Sequence, residues 1–346
     1  MAQPPKLKIG IVGALRGFAA LAVCWYHFIG GQNTSLVWTG KYGWLGVHIF
    51  FVISGFIIPY SLYQYRYSIH DYFRFLGKRI ARLHPPYLAS IVVVVALGWL
   101  MMLVPRWHAA APDISFLQMV SHFFYLNDLL GRPWLNVVYW TLGIELQWYL
   151  LLGLVFPLIA SRRWTWQIAG ALIVLLGHRL IPSEHLIFHI VPVFLIGIFV
   201  FQYRMGLSSV WRMLASSAAM FAIMKTPIGI PVASVAFVTG MLIAFGTLEN
   251  RWFNRLGEVS YSLYLLHIPI GLRVIDFTSR LPWSGTYLVL LDVLAIGVSL
   301  YASVLFFRLI EEPSQKWSSA IRIKPRPQVQ AAEDLVPAVA TGSAGD

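Results

Sequence analysis

The sequence predicts an all-α integral membrane protein, a bundle of about ten transmembrane helices with both termini on the cytoplasmic side. Three observations carry that expectation. The 346-residue chain is 58% hydrophobic and only 12% charged, with a mean hydropathy of +0.69, whereas soluble domains carry about a quarter charged residues. Its apolar residues fall in runs near the ~20 residues needed to cross a hydrocarbon core of ~30 Å. Its Lys and Arg are also shared unequally between alternate loops, which is how orientation is encoded in membrane chains.

The first apolar run, roughly Ile9 to Ile29, follows Lys6 and Lys8. It resembles a signal peptide in outline. Its length, its Arg16 and the lack of a small-x-small cleavage site predict a retained first helix instead. Further spans are expected at 43–63, 86–104, 136–160, 165–181, 186–203, 209–224, 230–247, 257–275 and 285–307. With the N-terminus inside, eighteen of the 26 Lys and Arg fall on the cytoplasmic side. Lys41, Arg106, Arg132, Arg179, Lys225, Arg273 and Arg280 fall outside, and Arg16 lies within a span. That excess predicts N-in and C-in. Residues 1–323 are expected to form one membrane domain. The Pro/Ala-rich stretch 324–346 has no apolar periodicity and reads as a disordered cytoplasmic tail.

Cys24 is the single cysteine, so an intrachain disulfide and a cysteine-built zinc site are excluded. In an apolar helix it reads as a small packed hydrophobe, and no metal site is expected. The net charge of +12 belongs to loops that meet anionic lipid or an anionic ligand, and nucleic acid is not expected as a partner.

Ionisable groups at membrane depth cost several kcal/mol unless paired or wet, so each is a functional candidate. Here they are Arg16, His27, His48, Glu145, His267 and Asp292. Arg16 and His27 are eleven residues apart, which brings them within ~20° on one helix face and ~16 Å apart along the axis. Burial favours neutral imidazole at His27, which can act as a base. The plain alternative is a His and an Arg that merely bond neighbouring helices. Glu145, in WTLGIELQWY, shares a polar and aromatic face with Thr141, Trp148 and Tyr149. It either pairs with a cation or handles protons. In LGEVSYSLYLLHIPI, Ser260, Tyr264 and His267 form one face, and Pro269 can free nearby carbonyls. Interhelical bonding alone would also account for that stripe. In GKRIARLHPPY, read as a loop before the third span, Arg79 and Arg82 form a forked face suited to phosphate. Ordinary topology signals would look the same.

Together these segments resemble, in order and along most of the chain, the acyltransferase-3 family of membrane acyltransferases. The resemblance rests on Arg16-x10-His27, FFVISGF (Phe50 to Phe56, with Ser54), RIARLHPPY and WTLGIELQWY. GEVSYSLYLLHIP and the closing EEP (Glu312, Pro313) complete it. Thr141 stands where the family usually has Ser, and His84 where an aromatic commonly precedes the proline.

The family includes O-acetyltransferases of surface polysaccharide, lipopolysaccharide and peptidoglycan. The resemblance implies an acyl-CoA donor, most often acetyl-CoA, entering from the cytoplasm, with no bound cofactor. Arg79 and Arg82 are then expected to hold the nucleotide phosphates, with Arg16 deeper. His27 would act as general base, or as a transient acyl carrier, with Glu145 orienting it or binding the sugar. Ser54, Tyr264 and His267 complete the expected substrate- and acyl-CoA-binding set, the last two as acceptor contacts or oxyanion donors. The acceptor is expected to be a carbohydrate or glycoconjugate, and the location the inner (plasma) membrane. Many relatives carry a fused extracytoplasmic domain with a Gly-Asp-Ser motif. Without one, the chain would transfer directly or through a separate extracytoplasmic partner. The competing reading is a multi-pass transporter or flippase of a lipid-linked sugar. That reading calls for paired broken helices in two matching halves, and the halves here do not echo one another.

Overall fold

The computed structural model describes residues 10–30, 36–103, 114–181, 183–247, 250–278 and 286–323, and these contain helices and no strand. Lys6, Lys8, Arg106, Arg280, Lys324, Arg326 and the expected tail lie outside the described residues. The helices are α1 (Gly10–Ile29), α2 (Val37–Gly40), α3 (Gly46–Gln64), α4 (Tyr72–Met102) and α5 (Phe116–Phe124). They continue with α6 (Trp140–Ile159), α7 (Trp164–Leu180), α8 (Val191–Arg204), α9 (Val210–Met224) and α10 (Ile230–Phe245). Last come α11 (Arg251–Glu258), α12 (Ser260–Leu266), α13 (Leu272–Thr278), α14 (Thr286–Phe306) and α15 (Glu312–Ala320).

Six helical stretches among the described residues are long and apolar enough to cross a membrane. They are Gly10–Ile29, Val37–Gln64, Ile69–Met102, Val137–Ile159, Val210–Phe245 and Tyr287–Ala320. The fifth is two helices. The Phe221 and Phe237 ring centres lie 6.2 Å apart, whereas one straight helix would separate the residues by ~24 Å. The chain folds back through a π turn at Lys225–Gly229, where Gly229 takes φ +110°, a conformation that side chains resist. The short α8 is the hub of the core: Val191 to Gln202 are all buried. Gly55 permits its close packing on α3, because a Cβ there would strike the Phe194 carbonyl.

The outer surface is apolar. Phe116 is 85% exposed, Phe73 82% and Trp211 77%. In water such surface would drive association; in lipid it is the solvated face. The protein is an all-α membrane protein.

Paired residues give the helix directions. Arg16 meets Ser260 and His27 meets His267, so α1 and α12 run side by side the same way. Phe51 with Phe194 and Tyr63 with Phe201 make α3 and α8 parallel. Phe75 with Tyr149 and Ser90 with Tyr139 make α4 and α6 antiparallel.

The segment expected as a loop before residue 86 is helical: α4 runs unbroken from Tyr72 through Pro85 and Pro86. Proline removes the amides that would serve the Ala81 and Arg82 carbonyls. Tertiary bonds flank the prolines and tie this stretch to the C-terminal helices. Lys78 Nζ donates to the Ser318 carbonyl at 3.0 Å, Ser318 Oγ to the Lys78 carbonyl at 2.8 Å, and Tyr261 Oη to the Leu83 carbonyl at 2.9 Å.

Pro269 has a similar effect on Leu265, whose carbonyl loses its α-helical donor. Asn136 Nδ2 supplies one at 3.2 Å. Asn136→Ala should therefore destabilise the fold by about 1–3 kcal/mol, the cost of leaving a buried acceptor unmade. Thermal unfolding in lipid nanodiscs measures it. Pro269→Ala in the same chain should recover part of the loss, and an unchanged midpoint in Asn136→Ala would refute the account.

Candidate active site

A cavity of about 980 Å³ opens where α1, α3, α4, α6, α12 and the π turn Phe307–Glu311 converge. Its lining contains Arg16, Ser54, Arg79, Arg82, Glu145 and Tyr264, six of the eight residues expected to form the site. The exposed Tyr65 and Arg66, just past the end of α3, mark its rim, and apolar Val47, Phe50 and Leu142 line it further in.

Each charged group is set by its helix. On α4, Arg79 follows Phe75 by one turn and lies between two rings, 5.6 Å from the centres of both Phe75 and Tyr149. Stacking suits a guanidinium deprived of water. Arg79 Nε has no hydrogen-bond partner among the described residues. Arg82 lies one turn on. On α1, Arg16 Nε donates to Ser260 Oγ at 3.2 Å, and that hydroxyl donates to the Gly257 carbonyl at 2.8 Å. None of these arginines forms an ion pair among the described residues. The lining holds four arginines against two glutamates, an excess of two positive charges. Arg66 is at the exposed rim; the partly buried Arg16, Arg79 and Arg82, without ion-pair partners, are costly to hold unmatched, so the cavity favours an anionic occupant.

Glu145 accepts from Tyr149 Oη and, at 3.4 Å, from Ser54 Oγ. The expected pairing with His27 is therefore not formed; α6 turns the carboxylate into the cavity, and His27 lies elsewhere. Glu311, which sequence reasoning passed over in favour of Glu312, accepts from the Ser262 amide at 3.1 Å and Gln315 Nε2 at 3.0 Å. Glu312 instead faces outward to Lys316 at 2.9 Å. A buried acid closing an apolar run was the available signal. Tyr261, adjacent in sequence to Ser260, also lines the cavity.

The inner wall is Tyr264, whose hydroxyl bonds Thr141 Oγ1 at 2.9 Å and the Val138 carbonyl at 3.3 Å. The expected single face of Ser260, Tyr264 and His267 divides here. Ser260 and Tyr264 line the cavity, while His267 begins a π turn, His267–Gly271, and lies behind Tyr264 with ring centres 5.9 Å apart. His27 is one ring further, 5.3 Å from His267, half-buried and outside the cavity lining. Cys24, one turn before it, is fully buried.

Comparison with known proteins agrees with this arrangement. Residues 10–308 match the model of the acyltransferase-3 family, described as an acyltransferase domain. O-acetyltransferase OatA of Staphylococcus aureus is 30% identical over 167 residues, 46% of this chain and 26% of that protein. This chain therefore spans about a quarter of OatA. Acyltransferase MdmB of Streptomyces mycarofaciens is 23% identical over 91% of this chain and 94% of its own. ORF330 of Acidianus two-tailed virus, provisionally described as an acetyltransferase, is 25% identical over 74% of this chain and 82% of its own. No solved structure matches. With the family's model extending over most of the chain and a basic cavity buried in an apolar bundle, the protein belongs to the acyltransferase-3 family and is a membrane acyltransferase of the O-acetyltransferase type.

Proposed function

We propose that the protein moves an acyl group, acetyl by analogy with the relatives named O-acetyltransferases, from cytoplasmic acyl-CoA to a hydroxyl of a carbohydrate or glycoconjugate. One observation carries this: three arginines without ion-pair partners, Arg16, Arg79 and Arg82, share a cavity that ends one ring short of a His–His contact. CoA is anionic at its nucleotide end and narrow and uncharged along its pantetheine arm. Arg79 and Arg82 would take the phosphates by forked hydrogen bonds. Arg16 and Ser54 would line the path of the arm. Glu145, in the same lining, limits the positive charge and leaves room for the donor to dissociate.

Chemistry takes place beyond the Tyr264 end of the cavity, where the thioester passes Tyr264 to reach His27. His27 removes the proton of the acceptor hydroxyl as its oxygen attacks the thioester carbonyl. The C–S bond breaks, the CoA thiolate leaves, and the imidazolium returns the proton to it. The ester remains on the acceptor.

A multi-pass topology of ten spans, N-in and C-in, in the inner (plasma) membrane accounts for the direction of the donor. The parallel run of α1 and α12, the first and ninth apolar segments, supports an odd number of spans between them, as the seven intervening segments require. The rim at Tyr65–Arg66 follows the second segment and would then face the cytoplasm.

Purified protein in lipid nanodiscs with acetyl-labelled acetyl-CoA and a panel of carbohydrates tests the reading. Acceptor-dependent release of free CoA, with label recovered as an alkali-labile ester on the carbohydrate, is the expected result. Acetyl-CoA binding without release on any acceptor would overturn it.

A further inference from the structure

The expected orienting carboxylate, Glu145, is engaged inside the cavity with Ser54 and Tyr149, which leaves His27 without it. His267 has the properties that Glu145 was expected to bring. It is fully buried. Its Nδ1 lies 3.1 Å from the Leu263 carbonyl and 2.9 Å from the Tyr264 carbonyl. Carbonyl oxygens only accept, so Nδ1 carries the hydrogen and Nε2 of the neutral ring carries the lone pair. That lone pair has no hydrogen-bond partner among the described residues. A buried acceptor left unmade costs about 1–3 kcal/mol, so the site is built for a donor. The neighbouring ring with an N–H to offer is His27, with centres 5.3 Å apart and planes at 45°. Two imidazoles joined by an N–H···N bond of ordinary length have centres roughly 5 Å apart.

We propose that His267 is the positioning residue for His27: its fixed, open Nε2 lone pair is within one ring rotation of a His27 N–H, and on receiving it holds the lone pair on the other His27 nitrogen towards the acceptor hydroxyl. The π turn at His267–Gly271 serves this purpose by presenting the ring's Nδ1 to two carbonyls at once and locking its tautomer. A ring so held is an acceptor at Nε2, which removes His267 from the oxyanion donors. The inference rests on His27 as the base, and goes beyond it by naming what orients that base.

Transfer kinetics of the full chain in nanodiscs test it, with wild type, His27→Ala, His267→Asn, His267→Gln and the double variant His27→Ala/His267→Asn. Asparagine keeps a donor for the two carbonyls and loses the acceptor; glutamine keeps an acceptor near the Nε2 position. His267→Asn should lower kcat by at least about 10²-fold, as when a catalytic imidazole loses its tautomer-setting partner, with the KM for acetyl-CoA unchanged. His267→Gln should regain most of that loss, and the double variant should be no slower than His27→Ala alone. Wild-type turnover in His267→Asn, losses that multiply in the double variant, or a glutamine variant no faster than the asparagine one at equal unfolding temperature would each overturn the proposal. Should His267→Asn fail to fold, the comparison of His267→Gln with wild type decides, near-wild-type kcat supporting the proposal and a loss as large as that of His27→Ala refuting it. Full turnover in His27→Ala would refute the base itself, an outcome distinct from these.

Discussion

Replacing His27 by alanine should reduce kcat for acyl transfer by about 10²–10⁴-fold, the contribution of a positioned general base. The KM for acyl-CoA should stay the same. The reason is spatial: His27 is outside the lining of the cavity that holds Arg79 and Arg82, two ring contacts away through His267 and Tyr264. Removing the imidazole therefore changes the barrier and leaves the donor's binding surface intact. Steady-state thiol release with a carbohydrate acceptor, alongside direct binding of acetyl-CoA, separates the two quantities. A variant that turns over normally would reduce His27 to a packing residue. One that loses donor binding and turnover together would place the ring in the donor site itself.

The second large effect concerns the donor. Arg79→Ala combined with Arg82→Ala should weaken acyl-CoA binding by roughly 10²–10⁴-fold. Each charge-assisted hydrogen bond contributes about 1.5–3 kcal/mol, and two are removed. Isothermal titration in nanodiscs reads the change directly. Arg79→Lys should fall between, since an ammonium keeps the charge but forfeits both the fork and the stacking between Phe75 and Tyr149. Stability should move the other way. The arginines are enclosed without an ion-pair partner, so alanine at these positions should leave the unfolding temperature level or raise it. Unchanged acyl-CoA affinity in the double variant would return both residues to the role of topology signals.

Much of this site could be read from spacing alone. An eleven-residue interval puts Arg16 and His27 on one face, and they meet Ser260 at the start of α12 and His267 just past its end. Periodicity puts Tyr149 on Glu145's face, and the two are bonded; it leaves partners on other helices open, and where the resemblance offers His27 or the sugar for Glu145, the structure brings Ser54. Local rules also misjudged Pro85 and Pro86: α4 runs through both, with its Lys78 and Leu83 carbonyls bonded to Ser318 and Tyr261, far along the chain. Glu311 and Glu312 illustrate the limit of a motif. One position on a helix is ~100° of rotation, enough to send one carboxylate into the cavity and the other to Lys316.

The Arg16–Ser260 bond joins residues 244 positions apart. At ribosomal rates of about 5–20 residues per second, roughly 10–50 s pass between the synthesis of the two. For that interval the opening helix sits in the bilayer with its guanidinium unmatched, and no active enzyme can exist. Maturation is thus timed by the arrival of the ninth apolar segment, and a nascent chain arrested short of it would be inserted yet inert.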